Sequence, residues 1–142
     1  MFRRMARGFG LAALMALAGA CSDTTTPTLP TAITITETYS GTLIPASANT
    51  FSFTTLTGGA VVATVSAVGP DNTKTVGFSL GTFLTATKTC TVIMDNAVAT
   101  EAFAFNATTS TIGTYCVRIY DNGTMVPADG PYTFTISVSH PQ

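Results

Sequence analysis

From residue 32 onward, hydrophobic and polar positions alternate with a period of two, the pattern of strands with one covered and one wet face. Ile33 and Ile35 alternate with threonines into a strand ending near Tyr39, and 41–45 reads as a short second strand closed by Pro45. Phe51 and Phe53 alternate with Ser52 and Thr54. The stretch 60–68 is apolar on both parities, which predicts a central strand covered on both faces. Val76, Phe78 and Leu80 make the next alternating set, and 90–94 and 99–105 read as two further strands. Over 113–120, Tyr115, Val117 and Ile119 share one face and Cys116, Arg118 and Tyr120 the other; over 132–139, Phe134, Ile136 and Val138 oppose Thr133, Thr135 and Ser137. Gly58-Gly59, Gly69-Pro70-Asp71-Asn72, Asp95-Asn96, Asp121-Asn122-Gly123 and Asp129-Gly130-Pro131 carry turn chemistry between these runs. No segment after residue 31 shows an apolar 3.6-residue period with caps. The expectation is all-β: an antiparallel β-sandwich, jelly-roll or Ig-like, of about eight or nine strands. Its predicted core is Phe53, Val62, Val65, Phe78, Leu80, Val92, Tyr115, Val117, Ile119, Phe134, Ile136 and Val138.

The first residues follow another pattern. Arg3, Arg4 and Arg7 precede an apolar run over 9–18, and small residues then lead to Cys21. This is the layout of a secretory signal peptide, too short at about ten apolar residues to span a bilayer. Ala18-Gly19-Ala20-Cys21 resembles a bacterial lipobox. That resemblance implies a signal peptide over 1–20, acylation of the Cys21 thiol, and Cys21 as the mature N-terminus. Ser22 then resembles lipoproteins sorted to the outer membrane. Ala18-x-Ala20 also suits ordinary signal peptidase, which would release a secreted or periplasmic protein. Residues 21–31, rich in threonine and proline, read as an extended tether of roughly 3 Å per residue. The folded domain is expected over 32–142.

Composition changes the picture in two ways. Beyond the leader, three bases (Lys74, Lys88 and Arg118) face seven acids, a net charge of −4 that offers no basic face to a nucleic acid. The 29 threonines supply polarity in place of charge while favouring strands.

Three cysteines occur in the chain. Cys90 and Cys116 both fall on predicted strands, and an exported pair with no competing ligand is expected to form a disulfide. That pairing leaves Cys21 as the odd thiol, which lipidation accounts for. Two thiols and one distant histidine make a poor zinc site. His140, the sole histidine, reads as solvated tail next to Pro141, which removes most Ser-His and Cys-His schemes. No paired carboxylates or phosphate loop stand out, so no catalytic residue, cofactor or metal is expected. The Asp-Asn pairs at 71–72, 95–96 and 121–122 could offer oxygens to calcium, but each coincides with a predicted strand break and reads as turn chemistry.

Gly113-Thr114-Tyr115-Cys116-Val117-Arg118-Ile119-Tyr120-Asp121, followed by 131–138 and preceded by Phe51-Ser52-Phe53, resembles bacterial pre-peptidase C-terminal domains. Cys116 stands where that family usually has a second aromatic. The resemblance implies a small extracellular jelly-roll-like sandwich serving as an accessory or binding module. The expected function is therefore a non-catalytic lipoprotein of the cell envelope, partnered by the membrane through its anchor and by an extracellular glycan or protein. Tyr39, Tyr120 and Tyr132 are candidate ligand contacts. The alternative is a structural subunit joined to an envelope assembly through edge strands, which few lysines guard.

Overall fold

The period-two runs become eight strands: β1 Thr34–Leu43, β2 Ala48–Thr55, β3 Gly59–Gly69, β4 Val76–Leu84, β5 Thr89–Ala99, β6 Ala104–Thr109, β7 Gly113–Tyr120 and β8 Tyr132–Pro141. They belong to a computed structural model that describes residues 32–142; the expected signal peptide, Cys21 and the expected 21–31 tether lie outside the described residues. Two four-stranded antiparallel sheets form, ordered β1-β8-β3-β6 and β2-β7-β4-β5. Chain neighbours such as β1 and β2, or β3 and β4, sit in opposite sheets, the jelly-roll solution to a two-layer sandwich. A short 3-10 turn at Pro127–Asp129 interrupts the long link between β7 and β8.

The core lies between the sheets. Val61, Ala63, Val65, Phe134, Ile136 and Val138 from one sheet meet Phe53, Phe78, Leu80, Val117 and Ile119 from the other. Phe78 stacks on Phe105 across the layers at 5.5 Å between centroids. Each such aromatic contact adds about 0.5–1.5 kcal/mol beyond its buried area.

Several expectations shift by one residue or one element. Ile33 to Pro45 is not two strands: β1 runs unbroken from Thr34 to Leu43, because all ten residues pair with β8. In the predicted core, Val62 gives way to Val61. Strand parity places Val61, Ala63 and Val65 inward together, and a bulge at Ser66 then brings Val68 inward as well. β3 is central in its sheet, yet only one of its faces is covered, since Ser66 and Ala67 are exposed on the other. Val92 is 42% exposed, because a bulge between Leu80 and Gly81 of β4 and their β5 partners leaves Ile93 unpaired and turns Val92 outward. Tyr115 is half-buried against Phe53, with ring centroids 5.8 Å apart. Strands expected over 90–94 and 99–105 are instead β5 and β6, separated by a turn with Ala102 at φ 68°.

His140 is the largest reversal. β8 continues past Val138, so His140 keeps the inward parity of Phe134, Ile136 and Val138 and is fully buried. Its Nε2 lies 3.0 Å from Glu37 Oε1, and its ring packs 5.0 Å from that of Phe53. The other Glu37 oxygen accepts a hydrogen bond from the Tyr39 hydroxyl. Burial, together with that bond and the Glu37 charge, pushes the Tyr39 phenol far above its ordinary pKa. A polar cluster thus closes the seam between β1 and β2, with every buried side-chain polar atom among the described residues partnered.

Candidate functional site

The outer face of the β2-β7-β4-β5 sheet is organised by what β4 lacks. Phe78 and Leu80 point inward, so Gly77, Ser79 and Gly81 point outward and leave a shallow trough along the strand. The trough is filled from both neighbours. At one end the Tyr120 ring lies over Gly77 so closely that a β-carbon there would stand 2.1 Å from it. At the other end, Cys90 of β5 and Cys116 of β7 are disulfide-bonded with Cα atoms 5.8 Å apart. Strands two apart in a sheet normally stand about 10 Å apart. The bridge forms because β5 arches over Gly81, whose β-carbon would fall 2.1 Å from the Thr91 carbonyl oxygen.

Between these ends runs one cross-sheet row: Thr50 of β2, Arg118 of β7, Ser79 of β4 and Asp95 of β5 are successive register partners on one face. The Ser79 hydroxyl donates to Asp95 Oδ1 at 2.7 Å, and the Tyr120 hydroxyl donates to the same carboxylate at 3.0 Å. Burial raises the Tyr120 phenol pKa, the Asp95 bond and charge add to this, and Arg118 partly offsets it. The phenol therefore stays protonated and keeps donating. The Arg118 guanidinium carbon sits 4.6 Å from the Tyr120 ring centroid, a cation–π contact that orients the head without using its N–H donors. Asp95 is committed to Ser79 and Tyr120, and among the described residues Arg118 forms no ion pair. The face thus presents a held guanidinium fork flanked by the exposed Thr50 and Ser52 and by Asp95. Such a fork suits carboxylate, sulfate or dense hydroxyl groups.

The other candidates fall elsewhere. Tyr39 is half-buried at the opposite seam, stacked on Phe51 at 4.9 Å. Tyr132 is 2% exposed and presents almost nothing to a ligand. Of the three anticipated contacts, only Tyr120 stands on an outer face, beside Arg118. Arg118, Ser79 and Asp95 were not anticipated as a group. The signal available was the Gly-x-Ser-x-Gly spacing over 77–81, where alternate tiny residues demand something to cover them. Between the sheets lies a cavity of about 110 Å3 lined by Phe53, Val61, Leu80, Met94, Ala107 and Tyr115 among others. Its lining offers few groups to orient a polar ligand.

The Asp-Asn pairs serve the backbone. Asp71 Oδ1 accepts from the amide and hydroxyl of Thr73. Asp121 accepts from the amides of Gly123, Met125 and Ala46. Asn122 donates to Thr75 and to the Ala97 carbonyl, clasping the β7–β8 link to two other elements. Asp95-Asn96, expected at a strand break, lies within β5, where Asn96 caps a bulge by accepting from the Val98 amide. No group of three or more potential metal ligands converges among the described residues.

Asp121 carries an acid-limb prediction. Burial raises its pKa, but the amides of Ala46, Met125, Gly123 and Thr124 together outweigh that and lower it. A depressed folded-state pKa contributes stability above the unfolded value, near 4, that is lost as pH falls through the folded value. D121N should therefore flatten the fall in stability with acid below about pH 4. Urea midpoints across that range check it, and an unchanged acid limb counts against the role.

No family model and no curated protein sequence matches this chain.

Proposed function

We propose that this chain is a non-catalytic binding module of the bacterial cell envelope, held to the outer membrane through an acylated Cys21. It takes a glycan or protein ligand on the open face of the β2-β7-β4-β5 sheet. The observation that carries the binding reading is Arg118, whose head is fixed over Tyr120 with its donors unspent in a row of hydroxyl and carboxylate groups. The reading of the anchor rests on the lipobox-like stretch ending at Cys21. The resemblance to pre-peptidase C-terminal domains agrees with an accessory role. His140, the one imidazole, faces the sandwich interior rather than a cleft.

The test is an array of envelope glycans, including uronic-acid and sulfated polymers, together with envelope proteins. Arg118→Ala should weaken binding of any ligand found by about 10- to 100-fold, the range for losing a charged hydrogen-bond donor. Thr64→Ala, on the outer face of the other sheet, should leave it unchanged. Equal binding by wild type and Arg118→Ala sinks the assignment of this face.

A second reading, an envelope subunit joined through edge strands, is favoured by β5. That edge exposes Val92, Ile93 and Val98 and has no lysine within its span. Its two bulges work against pairing. Concentration-dependent oligomers in sedimentation would support this reading, and a strict monomer would end it.

A further inference from the structure

The two ends of the sandwich differ in kind. One end gathers the start of β1, the links 56–58 and 110–112, the end of β4 with the link 85–88, and the end of β8, as the registers Thr34 with Pro141, Gly59 with Thr109, Thr55 with Gly113 and Leu84 with Thr89 require. Each of these segments but the last puts a large aliphatic side chain into water: Ile33 70%, Leu56 53%, Leu84 51% and Ile112 70% exposed. The three links hold no acidic side chain, and Lys88 is their one charge. Glu37, further along β1, is tied to His140 and Tyr39. The other end collects Asp71, Lys74, Glu101, Asp121 and Asp129 in its links, and its exposed Ile44 and Val126 stand among those carboxylates.

Isolated exposed aliphatics are ordinary, but one on each of four neighbouring segments at an acid-free end forms a surface suited to a nonaqueous neighbour. We infer that this end is a membrane-docking surface: Ile33, Leu56, Leu84 and Ile112 sit at the headgroup–acyl boundary of a phospholipid leaflet, and Lys88 meets its phosphates. The occupant follows from where the chain enters. Residue 32 begins at this end, and Cys21 stands eleven residues earlier, a reach of at most roughly 35 Å when extended. An anchor at Cys21 therefore joins the domain at this end, on the side away from the acidic links. Aliphatic side chains interleaved with threonine, with a lysine at the margin, suit shallow interfacial insertion. The inference rests on the anchored reading above. It adds an orientation, which leaves the Arg118 face roughly perpendicular to the membrane and open to the side.

The chain contains no tryptophan, so single reporters can be placed cleanly. Leu84→Trp, Ile112→Trp and, at the acidic end, Val126→Trp would each be made in the full chain. The purified proteins would be reconstituted with vesicles of phosphatidylethanolamine and phosphatidylglycerol carrying brominated acyl chains. The expected result is blue-shifted emission and at least about twofold more quenching for Leu84→Trp and Ile112→Trp than for Val126→Trp. Equal, water-like emission at all three positions overturns the docking surface. Mass analysis of the N-terminal peptide on the same samples separates the two proposals. If Cys21 carries no lipid, the anchor reading fails by itself. The same vesicles added to the unacylated protein then decide the docking surface by the same contrast.

Discussion

Replacing Cys90 and Cys116 together with alanine should lower the unfolding free energy by about 3.5 kcal/mol, the chain-entropy value for the loop they close. The bond spans a sequence separation of 26 and ties an edge strand, β5, to a central one, β7, across β4. Small domains have about 5–15 kcal/mol in total, so the loss is a large share. It should be felt first at the start of β5, which Phe83 and Leu84 alone would then hold through register pairing with Cys90 and Thr89. Urea unfolding of the variant, set beside reduced wild type, measures it. A midpoint that does not move under either treatment would show that the bond constrains nothing.

Gly81→Ala should cost somewhat less, about 2–3 kcal/mol, through overpacking rather than lost constraint. The new methyl would meet the Thr91 carbonyl, which is backbone and cannot swing aside, so β5 must lift and pull on the bridge. Gly77→Ala offers the contrast. Its obstacle is the Tyr120 ring, a side chain that can rotate out at the cost of its bonds to Asp95. Adding Tyr120→Ala should recover part of the Gly77→Ala loss, whereas no single side-chain deletion should rescue Gly81→Ala. A double-mutant cycle reads this directly. If both glycines tolerate alanine within about 0.5 kcal/mol, the close approaches over β4 are not real.

How much of this could be read from the residues depends on what each element needed. The sandwich was visible because alternation is the physical requirement of a half-buried strand, and 113–120 and 132–139 display it without interruption. The disulfide is visible because two cysteines on predicted strands, with no competing ligand, have few other uses. Bulges were not visible. A single extra residue at Ile93 reverses parity without any compositional mark and turns Val92 outward, whereas Val62 faces out because the apolar run 60–68 is covered on one face only. His140 was misread for a different reason. Its parity matches Phe134, Ile136 and Val138, and β8 pairing with β1 through Pro141 carries that alternation to the last residues. The Arg118 row escaped because its members lie on four strands whose lateral order, β2-β7-β4-β5, follows from no local pattern.

The pairing of β1 with β8 has a consequence for how the molecule comes into being. Thr34 lies opposite Pro141, and β8 is also the strand that joins β1 to β3. Synthesis proceeds from the N-terminus, so β1, the first of the described strands, has no partner until β8 has been made. Fast local hairpins cannot complete that layer, and topologies of such sequence-distant contacts assemble slowly, in milliseconds to seconds. The β1 edge therefore stays unlatched while the β4–β5 hairpin can already stand, and its layer closes only once β8 is in place.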